Sequence, residues 1–197
     1  MNRAQAIGQI NELIFARMEP GEDLLKAIWD ISARYEIKAG WIVEGSGMLK
    51  NVIFQRFPHN FKTCKIPIDL YNLDGPMLCN ISGIIGTMRN SGGDASVLSV
   101  PYCKGVIEEE MDLFAMSTSQ GFDTPYVHCH FDVSTKDTTV MGHLMPGTIV
   151  AEANTPGDPT EFTLVIAKMN SVDFGTAFRP DGFGHFVEQI QTVSETK

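Results

Sequence analysis

Cysteine is scarce in this chain and lacks the spacing that cysteine-based structural sites require. The four cysteines stand at positions 64, 79, 103 and 129, and no two of them form a C-x-x-C pair. This pattern argues against a disulfide-stabilised small domain and against a zinc ribbon. We therefore expect reduced thiols, and for Cys129 we expect packing in the core.

Long apolar runs are also missing. No apolar stretch approaches the roughly 20 residues that a membrane span needs, and residues 1–8 contain no apolar signal region. We expect a protein without a membrane partner that is located in the cytoplasm. The 197 residues, 43% of them hydrophobic, are enough for one domain with a sizeable core.

Basic residues are few and are not clustered. The chain has 15 Lys and Arg against 24 Asp and Glu, and between residues 105 and 167 Lys136 is the one basic residue among ten acids. That stretch alone accounts for the net charge of −9. An acidic segment repels phosphate backbones and suits a bound cation, although a solvated surface explains most of these acids equally well. The charge argues against DNA as a partner.

Several motifs of common enzyme classes do not occur. There is no G-x-G-x-x-G after a predicted strand and no G-x-x-x-x-G-K-[ST], so nothing indicates a nucleotide site. There is also no G-x-S-x-G nucleophile elbow, for which Gly45-Ser-Gly47 is too short.

Three of the five histidines lie close together in the sequence. They are His128 and His130 in Tyr126-Val-His-Cys-His-Phe-Asp132, and His143 in Met141-Gly-His-Leu144. Residues two apart in a strand point to the same face, roughly 6.5–7 Å apart, so His128 and His130 can converge on one metal ion. A turn over 134–138 would bring His143 back beside them. Three imidazoles with an open fourth position suit a catalytic or ligand-binding zinc site. Hydrogen-bonded strand histidines are the alternative.

The remaining pattern predicts an α+β domain with a mostly antiparallel sheet and a flanking helix. Apolar residues at helical spacing predict the helix over 22–36, with Glu22 and Asp23 in its first turn. Strands are predicted over 10–18, 39–47, 48–57, 69–73, 77–86, 147–153, 161–167 and 174–178, and the strand 161–167 is expected to be central. Turns are expected at Gly45-Ser-Gly47, at Gly75-Pro76 and over 154–159. Residues 87–104 read as a loop, and 108–116 fit a strand or a helix.

Three charged residues are candidate catalytic companions of the histidines. Asp132 shares the face of His130 if the strand runs straight, where it would orient a histidine or transfer a proton. Glu44 precedes a glycine-rich stretch that suits a site mouth, and Arg179 would pair with a substrate carboxylate. Surface exposure explains Glu44 equally well, and a structural salt bridge explains Arg179 equally well.

Five motifs occur in the order seen in the PPC family, named for a domain conserved in plants and prokaryotes. Glu19-Pro-Gly-Glu-Asp-Leu24 resembles its helix entry, Gly45-Ser-Gly47 its glycine turn and Ile81-Ser-Gly-Ile-Ile85 one of its strands. His128-Cys-His130 with Gly142-His-Leu144 resembles its "H-x-H … G-G-H-L" signature, and Phe178-Arg-Pro-Asp181 its ending. Met141 departs from the first glycine of that signature.

The resemblance implies a single domain over 10–181, an insertion near 87–124, a C-terminal tail over 182–197 and assembly as a homotrimer. It also implies a metal site at His128, His130 and His143, and a broad fold shared with acetolactate decarboxylase, a zinc enzyme. The AT-hook that carries DNA binding in plant members does not occur here.

Two classes of function follow from these observations. The first is a metal-dependent enzyme of the lyase or decarboxylase type, or a sensor, that binds a small oxygenated molecule. Zinc is the expected divalent metal, with iron, nickel and manganese as alternatives. The second is a DNA-binding or regulatory protein, as many family members are labelled, and the acidic charge argues against it.

Overall fold

A computed structural model of the chain describes residues 5–56, 69–89, 125–153, 156–157, 160–178 and 186–192. One helix and nine strands follow one another within these ranges. They are β1 (Gln9–Met18), α1 (Leu24–Arg34), β2 (Gly40–Arg56), β3 (Asp69–Arg89), β4 (Pro125–Ser134), β5 (Thr139–Leu144), β6 (Ile149–Val150), β7 (Phe162–Asn170), β8 (Val172–Phe178) and β9 (Phe186–Thr192). The predicted α+β architecture is confirmed.

Helix α1 begins where the sequence supplies a cap and an apolar stripe. The side chain of Asp23 accepts a hydrogen bond from the backbone N–H of Lys26 at 3.1 Å, which satisfies one donor that a helix start leaves without an intrahelical partner. Leu24 and Ile28 recur at helical spacing and are buried. The predicted helix is confirmed but starts later, because Asp23 is its cap and Glu22 lies outside it.

The described strands belong to one sheet. Their order is β1-β7-β2-β5-β4-β3-β8-β9, with β6 paired to β2. The pairings are antiparallel except for β3 with β8. Because β2 pairs with β3 as well as with β5, the strands β2, β5, β4 and β3 form a closed ring. Strand β7 lies between β1 and β2, as expected for a central strand.

The two longest strands differ from the sequence prediction. Strand β2 runs through Gly45-Ser-Gly47, and β3 runs through the cis peptide bond Gly75-Pro76, so neither stretch ends a strand. Both strands have irregular pairing there, with register shifts at Ile42/Gly45 and Leu49/Asn51. A β-bulge adds a residue to one strand without ending the pairing. The two predicted turns are therefore wrong.

The sheet has one buried face and one face that points outward from the ring. The buried face carries large apolar side chains against α1, among them Phe54, Phe131, Ile42 and Ile166. The aromatic rings of Phe54 and Phe131 meet edge to face, with centroids 5.4 Å apart. The histidines of β4 and β5 lie on the outward face. They therefore do not replace apolar side chains of the core.

Other predicted segments are changed in their bounds. The strand expected over 147–153 is limited to Ile149–Val150, and the C-terminal stretch expected to be a tail contains β9. Residues 87–89 of the expected insertion belong to β3, while 90–124, with the undecided stretch 108–116, lie outside the described residues. Of the turn expected over 154–159, only 156–157 are described, and they form a turn. No helix among the described residues is long and apolar enough to cross a membrane.

Candidate metal centre

A tight turn joins the two strands that carry the histidines. The backbone N–H of Thr135 donates to the carbonyl of Thr138 at 2.8 Å. The Thr135 hydroxyl oxygen accepts from the N–H groups of Asp137 and Thr138 at 3.3 and 3.2 Å. A hydroxyl that accepts from backbone groups two and three residues later is typical of Ser/Thr turns. The predicted turn over 134–138, which returns His143 to the other two histidines, is confirmed.

The register of this hairpin brings the three histidines together. His130 lies directly opposite His143, and His128 precedes His130 by two residues on β4. Directly opposite residues of an antiparallel pair point to the same face, with Cβ atoms roughly 4.5–5.5 Å apart. Cys129 and Phe131 point the other way and are buried. The alternation inferred from the sequence is therefore confirmed.

The donor atoms of the three imidazoles converge. Each histidine offers one ring nitrogen, and these nitrogens all lie within 4.8 Å of one another. The Nε2 atoms of His128 and His130 are 3.2 Å apart. Zinc–nitrogen bonds are about 2.0–2.1 Å long, so two ligands of one tetrahedral ion lie a little over 3 Å apart. The donor set therefore fits a single divalent ion.

His143 has its second nitrogen fixed by the backbone. Its Nδ1 lies 3.0 Å from the carbonyl oxygen of Leu144. A carbonyl only accepts hydrogen bonds, so Nδ1 carries the proton and Nε2 carries the lone pair. Burial, opposed by this hydrogen bond and reinforced by the charges of His128 and His130, lowers the pKa of His143 from 6.5 to about 4. His143 is thus neutral at pH 7 and oriented as a ligand.

The chain matches one protein-family model across most of its length. The model describes the "Plants and Prokaryotes Conserved (PCC)" domain, which is the PPC resemblance noted from the motifs, and it covers residues 5–154. The chain belongs to this family. No curated protein matches it by sequence.

Solved structures of low sequence identity share the PPC fold. A metal-containing protein from Archaeoglobus fulgidus is 14% identical, with a TM-score of 0.61 over 95% of this chain and 99% of that one. A PPC protein from Pyrococcus horikoshii is 15% identical, with a TM-score of 0.60 over 97% and 100%. A protein from Bacteroides thetaiotaomicron, provisionally described as DNA-binding, is 15% identical, with a TM-score of 0.57 over 95% and 98%.

Two of the three charged companions lie in the described part of this PPC domain, and neither is among the side chains whose donor atoms converge. Asp132 is exposed on the histidine face of β4, but its direct partner is Met141. Glu44 is exposed on β2 at the shift in register between Ile42 and Gly45, where β3 lies between that strand and β4. Arg179 lies outside the described residues.

The cysteines on the buried face do not contribute to the metal centre. Burial, followed by the charge of Asp132, raises the pKa of Cys79 to about 12. Burial, followed by the effect of Cys79, also raises the pKa of Cys129. Both thiols are free and buried. A thiol must lose its proton to bind a metal, so core packing is the role of Cys129, as the sequence predicted.

Sequence reasoning missed the side chains that surround the histidines on the neighbouring strands. Ser82 lies opposite His130 and Ile84 lies opposite His128, both on β3. On the far side of Ile84 lies Trp41 of β2. The ring of Tyr126 meets that of His128 edge to face, with centroids 6.3 Å apart. The motif Ile81-Ser-Gly-Ile-Ile85 was the available signal, but only the register shows which of its residues face the histidines.

Proposed function

We propose that this PPC-family protein binds one divalent metal ion per chain through His128, His130 and His143, and that the bound ion takes a small oxygenated molecule as a further ligand. The observation that carries the proposal is the convergence of three imidazole nitrogens within 4.8 Å. Zinc is the first candidate because imidazole suits it, and iron, nickel and manganese are the alternatives. The metal-containing Archaeoglobus fulgidus neighbour supports a metal in this fold.

The protonation of the histidines and the exposure of the site determine which chemistry a bound metal would support. A divalent ion held by histidines polarises a carbonyl or carboxylate and lowers the pKa of a bound water. His143 holds its lone pair ready at pH 7 because burial lowers its pKa. His130 is exposed, so a small molecule can reach the cluster from solvent. Within the proposal Asp132 is the first candidate for proton transfer, ahead of Glu44 and Arg179.

Whether the site is catalytic or sensory is a separate step of the proposal. Lyase or decarboxylase chemistry is favoured by the similarity in fold to acetolactate decarboxylase. A similarity in fold does not by itself assign a reaction. Screening small carbonyl and carboxylate compounds for turnover by the metal-loaded protein separates the two versions. Turnover that disappears in His130→Ala together with the metal supports the enzyme. Binding without turnover supports the sensor.

Elemental analysis of untagged protein purified without chelator tests the metal site. We expect about one divalent metal per chain in the wild type, and almost none in His130→Ala and His143→Ala, because three ligands are needed for a stable site. His185→Ala is the matched control and should keep its metal. A wild-type protein without metal, or equal metal in all four proteins, would contradict the proposal.

The second candidate function is DNA binding, which is favoured by the provisional description of the Bacteroides thetaiotaomicron neighbour. The net charge of −9 argues against it, because nonspecific DNA binding requires a basic face. A gel-shift assay at low salt tests this alternative. Salt-sensitive binding at submicromolar protein would reverse our ranking of the two functions.

A homotrimer is the assembly that we propose for this protein. It is the assembly implied by the resemblance to the PPC family. Strand β1 forms one edge of the described sheet, and apolar side chains at and before it are exposed. We call them the edge patch: Ile7, Ile10, Leu13 and Phe15. Exposed apolar clusters on an open sheet edge are typical of surfaces that other chains cover.

A further inference from the structure

The histidine cluster has apolar side chains on one side of it. Trp41, Ile84 and His128 form one row across β2, β3 and β4, because Trp41 lies opposite Ile84 and Ile84 lies opposite His128. All three therefore point to the histidine face, over a span of roughly 10 Å. Trp41 keeps 47% of its surface exposed and Ile84 is half-buried. We call Trp41 and Ile84 the apolar row.

Polar side chains lie on the other side of the cluster. The next row, across β3, β4 and β5, contains Ser82, His130 and His143, and the row after it contains Asn80, Asp132 and Met141. Ser82, Asn80 and Asp132 are exposed. A molecule bound at the histidines therefore meets hydroxyl, amide and carboxylate groups beside the exposed Met141 in one direction, and an indole with an isoleucine in the other.

We propose that the site prefers a monocarboxylate with an apolar tail, whose carboxylate binds at the metal and whose tail lies along Ile84 and Trp41. This inference rests on the proposed function, since it requires a metal at the three histidines. The negative charge of Asp132 disfavours a second carboxylate on the polar side. When the tail covers the exposed indole, apolar surface of both is removed from water. The free energy gained is proportional to the apolar area buried.

A tail of this kind reaches the row because of the spacing of the strands. His128 and Trp41 are two strands apart, and the indole side chain extends over part of that distance. A two-carbon acid ends near the histidines, whereas a six-carbon acid extends over Ile84 toward Trp41. Chain length should therefore change affinity, and the change should depend on Trp41.

Binding of acetate and hexanoate to the Co(II)-loaded full-length protein tests the inference, with the visible Co(II) spectrum as the readout. We expect hexanoate to bind about tenfold more tightly than acetate in the wild type, because its additional methylenes are partly buried. In Trp41→Ser the ratio should fall to about twofold. Leu78→Ser removes an exposed apolar side chain of β3, three rows away from Ile84 on the same face, and is the matched control that keeps the full ratio. Ile84→Thr is the second test variant if Trp41→Ser does not fold.

The possible outcomes separate this inference from the proposed function. If Co(II) does not bind, the proposed function fails and the inference fails with it. If Co(II) and acetate bind but hexanoate shows no advantage, or keeps its advantage in Trp41→Ser and Ile84→Thr, only the inference is overturned. A change in the molar mass of Trp41→Ser by light scattering, without an effect on the ratio, would assign the apolar row to contact between copies and would also overturn it.

Discussion

At the scale of single residues, His143 links the fold to the chemistry of the site. Its Nδ1 donates to the carbonyl of Leu144, so the strand that carries it also fixes its tautomer. Burial, reinforced by the charges of the other two histidines and opposed by the hydrogen bond to Leu144, lowers its pKa to about 4. The environment that keeps His143 neutral, as a metal ligand must be, also makes protonation of His143 unfavourable in the native state.

We therefore predict a loss of stability of the metal-free protein at mildly acidic pH. Between pH 6.5 and about 4 the unfolded chain binds a proton at His143 that the native chain does not bind. Stability is thus full above pH 6.5 and falls as the pH drops. The loss between pH 7 and pH 5 should be on the order of 2 kcal/mol for this group. Urea unfolding in EDTA measures it, and His143→Gln should lose less. An equal loss in both proteins would contradict the prediction.

The two residues before His143 should differ in their tolerance of substitution. A Cβ atom at Gly142 would lie 2.5 Å from Cδ2 of the buried Phe54 ring, whereas Met141 is 67% exposed. We predict that Gly142→Ala destabilises the protein by about 1–3 kcal/mol through overpacking. Met141→Thr should stay within about 0.5 kcal/mol of the wild type. Chemical denaturation at pH 7 measures both, and a neutral Gly142→Ala would show that the Phe54 ring can move.

At the scale of secondary-structure elements, the histidine hairpin could be predicted and the long strands could not. The hairpin depends on local information, namely alternation along β4 and a short polar turn. From the sequence alone, the glycines at 45 and 75 predict turns that end strands. In the structure a Cβ at Gly45 would clash with Ile81, and one at Gly75 with the carbonyl of Leu49. Glycine inside a strand often marks such close approaches, but they depend on partner strands that the sequence does not identify.

The placement of the charged companions has the same physical origin. Asp132 was correctly placed on the histidine face because it lies on the same strand as His128 and His130. Glu44 lies on another strand, and its position relative to the cluster is set by β3, which pairs with both β2 and β4. The apolar row was missed for this reason too, since Trp41 and Ile84 meet His128 only through the order and register of the strands.

Asp23 at the start of α1 should contribute more to stability than the exposed Asp30 inside the helix. The carboxylate of Asp23 accepts from the N–H of Lys26 at 3.1 Å and from the N–H of Gly147 at 2.6 Å. It therefore caps the helix and ties it to the turn before β6. We predict that Asp23→Ala lowers the free energy of unfolding by about 1–2 kcal/mol. Asp30→Ala, at an exposed position inside α1, is the control and should change it by less than about 0.5 kcal/mol.

At the scale of the whole molecule, the histidine cluster and the edge patch differ in their position on the sheet. The histidine cluster with the apolar row is small and lies in the middle of the sheet. The edge patch lies on the open edge strand, where Phe15 alone keeps 74% of its surface exposed. A strand with exposed backbone groups and apolar side chains at the edge of a sheet tends to be covered by another chain. Within the proposal, assembly therefore belongs to the edge patch and ligand binding to the histidine cluster.

We therefore predict that the protein is a homotrimer in solution. Light scattering coupled to size exclusion should give three times the chain mass of 21.7 kDa for the wild type. Phe15→Asp should shift the population toward the monomer, because it places a charge where apolar surface would be buried. Met141→Thr alters an exposed apolar residue outside the edge patch and should remain trimeric. A monomeric wild type would remove the homotrimer from the proposal, and a trimer unchanged by Phe15→Asp would locate the contact on another surface.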